Sequence, residues 1–129
     1  MKCKYIKELK NIEGVREFFA INGIEIQKNI EKFFIDNNGG RPEKNVVYLE
    51  NGTEKVVNSF LSFNEEDKDN IYKAKRRVKE DDCLLIPFAR DPSGNYFCFK
   101  NRQIIFYSHE DGKEYNITKS FEEFINSLQ

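Results

Sequence analysis

Apolar and polar positions form the clearest pattern between Cys83 and Phe99, where two apolar runs flank a short polar segment. The first run, residues 83–89, has no polar side chain, and the second begins at Tyr96. The segment between them, residues 91–95, reads DPSGN, and proline, glycine and asparagine favour a chain reversal there. The pattern predicts a β-hairpin with Arg90 opposite Tyr96, whose first strand is buried on both faces and central in its sheet.

Apolar residues spaced by three and four positions predict four helices. The first is expected over about residues 4–22 and the third over residues 65–79, where acidic residues come first and basic residues last. The second begins near Gln27 and ends at an Asn-Gly-Gly sequence, whose glycines permit a left-handed terminus. The fourth begins at a capping box formed by Ser120 and Glu123.

Further strands are predicted on both sides of the central hairpin. Residues 45–50 and 54–63 are joined by Asn51 and Gly52, the dipeptide that most favours a tight hairpin turn, and the later half of the second arm is expected to be buried on both sides. Residues 103–108 extend the central hairpin into a three-stranded meander, and a short extended piece follows at residues 115–117. Taken alone, these patterns indicate a soluble α+β domain.

Length and composition favour one globular domain over residues 1–129, with 39% apolar and 33% charged residues. The chain has no apolar run long enough for a bilayer, and its first ten residues, MKCKYIKELK, carry charge throughout, so we expect a cytoplasmic protein without membrane contact. A net charge of −1 argues against the strongly basic footprint of a nucleic-acid-coating domain.

The third predicted helix ends in a basic cluster that allows two interpretations. It could be a nucleic-acid patch, or a solvated helix face whose charges match the helix dipole. The second interpretation is favoured, because three acidic residues follow immediately at 80–82 and cancel much of the field. The cluster comprises Lys73, Lys75, Arg76, Arg77 and Lys79.

Residues suited to catalysis or metal binding are sparse. His109 is the single histidine, and Glu110 beside it would point to the opposite face of a strand, so the pair is a poor base and orienter. The three cysteines, Cys3, Cys83 and Cys98, show no C-x-x-C spacing. They are expected to stay reduced, because the predicted hairpin register places Cys98 opposite residue 88 and not opposite Cys83. We therefore expect no catalytic residue, no cofactor and no metal.

Three segments together resemble the SUKH superfamily, whose founding members are yeast cell-wall synthesis regulators. They read GIEIQKNIEKFFIDNNGG from Gly23, LIPFARDPSGNYFCF from Leu85 and SFEEFINSL from Ser120, and their order and spacing extend the likeness over residues 12–128. The resemblance implies an α+β fold: a mainly antiparallel sheet of about five to six strands with four helices packed against it. It also implies a function, because most bacterial members resemble immunity proteins that bind and neutralise polymorphic or contact-dependent toxins.

The leading hypothesis is thus a monomeric immunity protein that binds a cognate toxin, such as a nuclease domain, in the cytoplasm. Nuclease domains tend to be basic, so the candidate contacts are loops and acidic edges. The alternative is a non-enzymatic regulatory or scaffolding adaptor like the yeast regulators. The candidate partner-binding residues are Asp36, Asn38, Gly39, Gly40, Glu43, Glu65, Glu66, Asp67, Asp69, Asp91, Glu110 and Asp111.

Overall fold

The computed structural model describes residues 1–79 and 83–129, and four helices and nine strands lie within those ranges. The helices are α1 (Glu13–Ile21), α2 (Lys28–Asp36), α3 (Ile71–Lys79) and α4 (Phe121–Ser127). The strands are β1 (Cys3–Lys4), β2 (Arg41–Pro42), β3 (Val46–Tyr48), β4 (Glu54–Val56), β5 (Ser59–Phe60), β6 (Leu85–Arg90), β7 (Tyr96–Lys100), β8 (Gln103–Tyr107) and β9 (Glu114–Thr118).

The main sheet has five antiparallel strands in the order β5-β6-β7-β8-β9, and two small sheets pair β1 with β2 and β3 with β4. This architecture confirms the predicted α+β class and the mainly antiparallel sheet. The predicted hairpin is β6 and β7, with Arg90 opposite Tyr96. β6 is an inner strand, buried from Leu85 to Ala89, while β7 takes the middle of the sheet.

The predicted register holds for Ala89 and Phe97 and fails at the next position, two residues beyond Arg90 and Tyr96. Cys98 lies opposite Pro87 rather than Phe88, because the ladder shifts between Pro87 and Ala89. Phe88 is therefore a bulged residue, and its fully buried ring packs among other aromatic rings instead of following the strand alternation. None of the three cysteines forms a disulfide.

The first helix is shorter than its apolar spacing predicts. α1 begins at Glu13, because the chain before it is held in other ways: β1 pairs with β2, Tyr5 has a φ of 58°, and the Lys7 amide donates to the Asn38 carbonyl at 2.8 Å. Its predicted end at residues 21–23 is confirmed, with Gly23 at a φ of 82°. Long-range pairing thus overrides the local helical pattern in residues 4–12.

α3 also begins later than predicted, at Ile71 instead of residue 65. The Asn70 side chain accepts a hydrogen bond from the Lys73 amide at 2.9 Å, which makes Asn70 the helix cap. The acidic residues at 65–69 therefore belong to the preceding loop, and they do not form the first turn of the helix.

Strand boundaries differ from the prediction where the chain changes sheets. The second arm of the Asn51-Gly52 hairpin divides into β4, which pairs with β3, and β5, which joins the main sheet. The short extended piece is a full strand, β9, because it pairs with β8 along its length. Ser120 caps α4 as predicted, accepting from the Glu123 amide at 3.1 Å, whereas the Glu123 carboxylate accepts from the Lys119 amide instead of that of Ser120.

The core is a cluster of phenylalanine rings between the helices and one face of the main sheet. Phe34 on α2 is 2% exposed and lies at its centre. Its ring centroid is 5.1–6.4 Å from six others, which come from α1, α2, α4, two strands and the loop after β5. These partners are Phe19, Phe33, Phe63, Phe88, Phe99 and Phe121. One residue therefore holds most of the helical layer against the sheet.

We predict that Phe34→Ala lowers the free energy of unfolding by about 3–5 kcal/mol, because it leaves a cavity among packed rings. The matched control is Ile21→Ala, at a residue 83% exposed on α1, which should change stability by no more than about 0.5 kcal/mol. Urea denaturation followed by circular dichroism measures both values. Equal small effects would contradict the central place of Phe34.

Candidate protein-binding surface

Asn38, a candidate contact residue, is 1% exposed and its amide is engaged within the fold. Its Nδ2 donates to the Lys7 carbonyl at 3.1 Å and to Ser62 Oγ at 3.2 Å. Its Oδ1 accepts from the Phe63 amide at 2.8 Å. Asn38 therefore joins the end of α2 to the N-terminal segment and to the chain that follows β5.

The same polar network includes Asp67, another candidate. Ser62 Oγ donates to Asp67 Oδ2 at 2.5 Å, and Asn64 Nδ2 donates to the same carboxylate at 3.2 Å. Asn64 Nδ2 also donates to the Glu8 carbonyl at 2.8 Å. Asp67 is thus half-buried and fixes the shape of the loop before α3.

Glycine is required at residues 39 and 40 for two different reasons, a positive φ at the first and a close contact at the second. Gly39 has a φ of 65°, in the left-handed region that glycine enters without strain. At Gly40, a Cβ would lie 3.0 Å from the Cys3 Cβ and 3.1 Å from the Asn37 carbonyl oxygen, because β1 passes close by. Both glycines therefore have a structural role in the backbone after α2.

Asp91 is 5% exposed and organises the turn between β6 and β7. Its carboxylate accepts from the Ser93 amide at 3.0 Å, the Asn95 amide at 2.7 Å and Asn95 Nδ2 at 3.1 Å. Asn95 Oδ1 in turn accepts from the His109 amide at 2.9 Å, which ties this turn to the loop between β8 and β9.

Three loops are linked to one another near the turn of the central hairpin. The turn of residues 91–95 and the loop of residues 108–113 are joined through Asn95 and His109. The loop of residues 64–70 is joined to them by Asp69, whose Oδ1 is 3.0 Å from Nη1 of Arg90. We call these three loops the loop end. It holds seven of the twelve candidate residues, and Asp36, Glu43 and the Asn-Gly-Gly lie outside it.

Four acidic side chains of the loop end are exposed: Glu65, Glu66, Glu110 and Asp111. The pKa of Glu66 is lowered chiefly because Lys10 donates a hydrogen bond to its carboxylate. The pKa of Asp111 is lowered chiefly by the Lys113 amide, which donates at 2.9 Å. Both carboxylates therefore remain negatively charged near neutral pH.

The two exposed acidic candidates elsewhere have different surroundings. Asp36 Oδ2 is 2.5 Å from the Lys32 ammonium, one turn earlier on α2. Glu43 lines a groove beside Met1 and Leu128. Neither residue shares a surface loop with Glu65 or Asp111, so the structure divides the predicted set into separate regions.

His109 is exposed in the loop after β8, and its imidazole makes no hydrogen bond to a residue in the described ranges. Its ring centroid is 6.3 Å from that of Tyr107. Within residues 1–79 and 83–129, no group of three or more His, Cys, Asp or Glu side chains could hold a metal ion. The helices in those ranges include none long and apolar enough to cross a membrane.

The basic cluster of α3 does not form a single patch. The Lys75 ammonium donates to the carbonyls of Cys83 at 2.9 Å and Leu85 at 2.7 Å, whereas Arg76 lines a groove beside α1. Lys73 and Arg77 line a different groove, together with Arg90 of β6. The acidic residues 80–82, predicted to offset this cluster, lie outside the described residues.

Sequence reasoning missed this second groove. Helical spacing places Lys73 and Arg77 on one face, but no local signal brings Arg90 and Tyr96 of the hairpin to the same place. Only the packing of α3 against β6 unites them.

A family model, SUKH_6, described as SMI1-KNR4 cell-wall, matches residues 22–125. The chain belongs to this SUKH family. No curated protein and no solved structure matches the chain significantly. The SUKH match covers the Asn-Gly-Gly terminus of α2, the hairpin of β6 and β7, and most of α4. The predicted SUKH resemblance is therefore confirmed.

We predict that Asn38→Ala destabilises this SUKH domain by about 1–3 kcal/mol, because the Phe63 amide loses its buried acceptor. Asn126→Ala, at an exposed position on α4, should change stability by less than about 0.5 kcal/mol. Thermal or urea unfolding of the two variants makes the comparison. A loss as small as that of the control would show that the network does not depend on Asn38.

Proposed function

We propose that this SUKH protein is an immunity protein, which binds one cognate toxin domain and neutralises it. The observation that carries the proposal is the family match over residues 22–125, since an immunity-type function is consistent with SUKH membership. Such a function requires a complementary surface that dissociates slowly, and it requires no catalytic residue. We further propose that binding takes place in the cytoplasm and that the protein acts as a monomer.

The loop end is the surface that we assign to the toxin. Its exposed carboxylates, Glu65, Glu66, Glu110 and Asp111, would attract a basic nuclease domain and raise the rate of encounter. Asp91 and Asp67 would contribute indirectly, because their internal hydrogen bonds hold two of these loops in shape. A preformed surface reduces the conformational entropy lost on binding.

The first experiment identifies the partner. The full chain, carrying a tag, is used to capture proteins from a lysate of the source organism, and each toxin-like protein is then expressed with and without the SUKH protein. Loss of lethality on co-expression supports immunity. The alternative is a regulatory adaptor, which the cell-wall description of the family favours, and capture of a cell-wall or signalling assembly without a toxin would support it instead.

Once a toxin is identified, neutralising the loop end should slow association. We expect the variant Glu65→Gln, Glu66→Gln, Glu110→Gln and Asp111→Asn to associate about tenfold more slowly at low salt, with little difference at high salt. Surface plasmon resonance measures both rates.

The matched control removes four exposed carboxylates outside the loop end, through Glu25→Gln, Glu50→Gln, Glu54→Gln and Glu122→Gln. It should bind nearly as fast as the unaltered protein. Equal slowing in both variants would indicate a diffuse charge effect, and slowing by Asp36→Asn with Glu43→Gln alone would move the interface to the other candidate region.

A further inference from the structure

A concave basic groove lies between α3 and the hairpin of β6 and β7, and the proposed immunity function does not account for it. Its volume is about 340 Å³, within the usual range for small-molecule sites. Residues from the loop before α3, from α3 and from both hairpin strands line it. Tertiary packing, rather than one helix face, therefore builds the groove.

Positive charge is concentrated in this groove although the chain carries a net charge of −1. Lys68, Lys73, Arg77 and Arg90 line it, and Asp69 is the single carboxylate among its described lining residues. Asp69 pairs with Arg90, with Oδ1 and Nη1 3.0 Å apart. Among the described residues, no carboxylate pairs with Lys68, Lys73 or Arg77, and all three side chains line the groove.

Arg90 is positioned before any ligand arrives. Its Nη1 donates to Asp69 and its Nε donates to the Asp91 carbonyl at 3.2 Å, while 23% of the side chain remains exposed. Nη2 finds no acceptor among the described residues, so part of the guanidinium is free to donate. A fixed guanidinium loses little conformational entropy when it binds an anion.

Tyr96 adds a neutral hydrogen-bond donor to the wall of the groove. This side chain is 6% exposed and lines the groove, yet its hydroxyl has no hydrogen-bond partner among the described residues. None of the buried side-chain nitrogen and oxygen atoms in the described residues lacks a partner, so the Tyr96 hydroxyl reaches solvent at the groove wall and can donate to a ligand there.

Lys73 and Arg77 repel each other, and a bound anion would relieve this repulsion. They lie four residues apart on α3, where like charges repel and destabilise a helix. Both residues line the same groove as Tyr96. Binding a multiply charged anion would reduce this repulsion.

We propose that this groove binds the phosphate groups of a small soluble ligand. A phosphate monoester carries about −1.5 to −2 charges near neutral pH and presents three acceptor oxygens, whereas a carboxylate carries one charge and two oxygens. The groove offers three cationic side chains that pair with no carboxylate of the described residues, together with a fixed guanidinium and a tyrosine hydroxyl. This set of donors suits the phosphate better. The small volume favours a compact ligand over a polymer.

The test uses sodium pyrophosphate as the probe on the full chain at low ionic strength. We expect saturable binding by isothermal titration calorimetry, with amide shifts at Gly94 and Tyr96 in NMR spectra. Lys73→Gln with Arg77→Gln should weaken binding at least about tenfold, because two charged donors are lost. Tyr96→Phe should weaken it about threefold or more without any change of charge, which a purely electrostatic effect would not do.

The matched control is Arg76→Gln with Lys113→Gln, which removes two charges outside the groove and should keep the affinity within about twofold. ADP serves as a second probe: affinity equal to that of pyrophosphate indicates recognition of the phosphates alone, and tighter binding indicates an organic ester. Either result supports the proposal.

Four results would overturn it. They are no saturation by about 10 mM pyrophosphate, equal weakening in the groove and control variants, succinate binding as tightly as pyrophosphate, and oligothymidylate binding that exceeds pyrophosphate and tightens with length. The last would mean an extended nucleic-acid surface. None of these results bears on toxin neutralisation, so the two proposals stand or fall separately.

Discussion

The fold depends on aromatic packing around Phe34, because this ring is where α1, α2 and α4 meet the inner strands of the sheet. Phenylalanine rings are large and carry no polar group, so a few of them fill a core without requiring internal hydrogen bonds. The bulge at Phe88 follows from this constraint, since it directs one more ring of β6 into the cluster. Polar residues instead determine the conformations of the surface loops that connect to the sheet.

Asparagine and aspartate side chains fix these loop conformations through hydrogen bonds. Asn38 and Asp91 are both nearly inaccessible, and each accepts hydrogen bonds from backbone amides that the sheet and helices leave unpaired. Asn95 and Arg90 then connect one loop to the next. The candidate residues thus fall into two groups: some would contact a partner, and others hold the loops of the binding surface in position. Residue type alone does not distinguish the two groups.

Sequence patterns predicted the elements that local chemistry controls. The hairpin turn, the Asn-Gly-Gly end of α2 and the Ser120 cap depend on residues close together in the chain, and the structure contains all three. The predictions failed where contacts with a distant segment of the chain determine the local conformation. Residues 4–12 have helical spacing, but Asn38 and β2 hold them extended or looped, and α3 starts late because Asn70 caps it. The groove was missed for the same reason, since Arg90 and Lys73 meet only through tertiary packing.

A net charge near zero conceals an uneven distribution of charge, and that distribution matters for function. Glu110 and Asp111 give the loop end exposed negative charge, while Lys73 and Arg77 make the neighbouring groove positive. The pair of Asp69 and Arg90 lies at the boundary, because Asp69 belongs to a loop of the first region and Arg90 lines the second. An anion in the groove would bind Nη2 of Arg90 while Asp69 keeps its contact with Nη1, and a basic partner at the loop end would attract the Asp69 carboxylate. The two surfaces are therefore distinct in charge and in the ligands they suit, although one ion pair lies at their boundary.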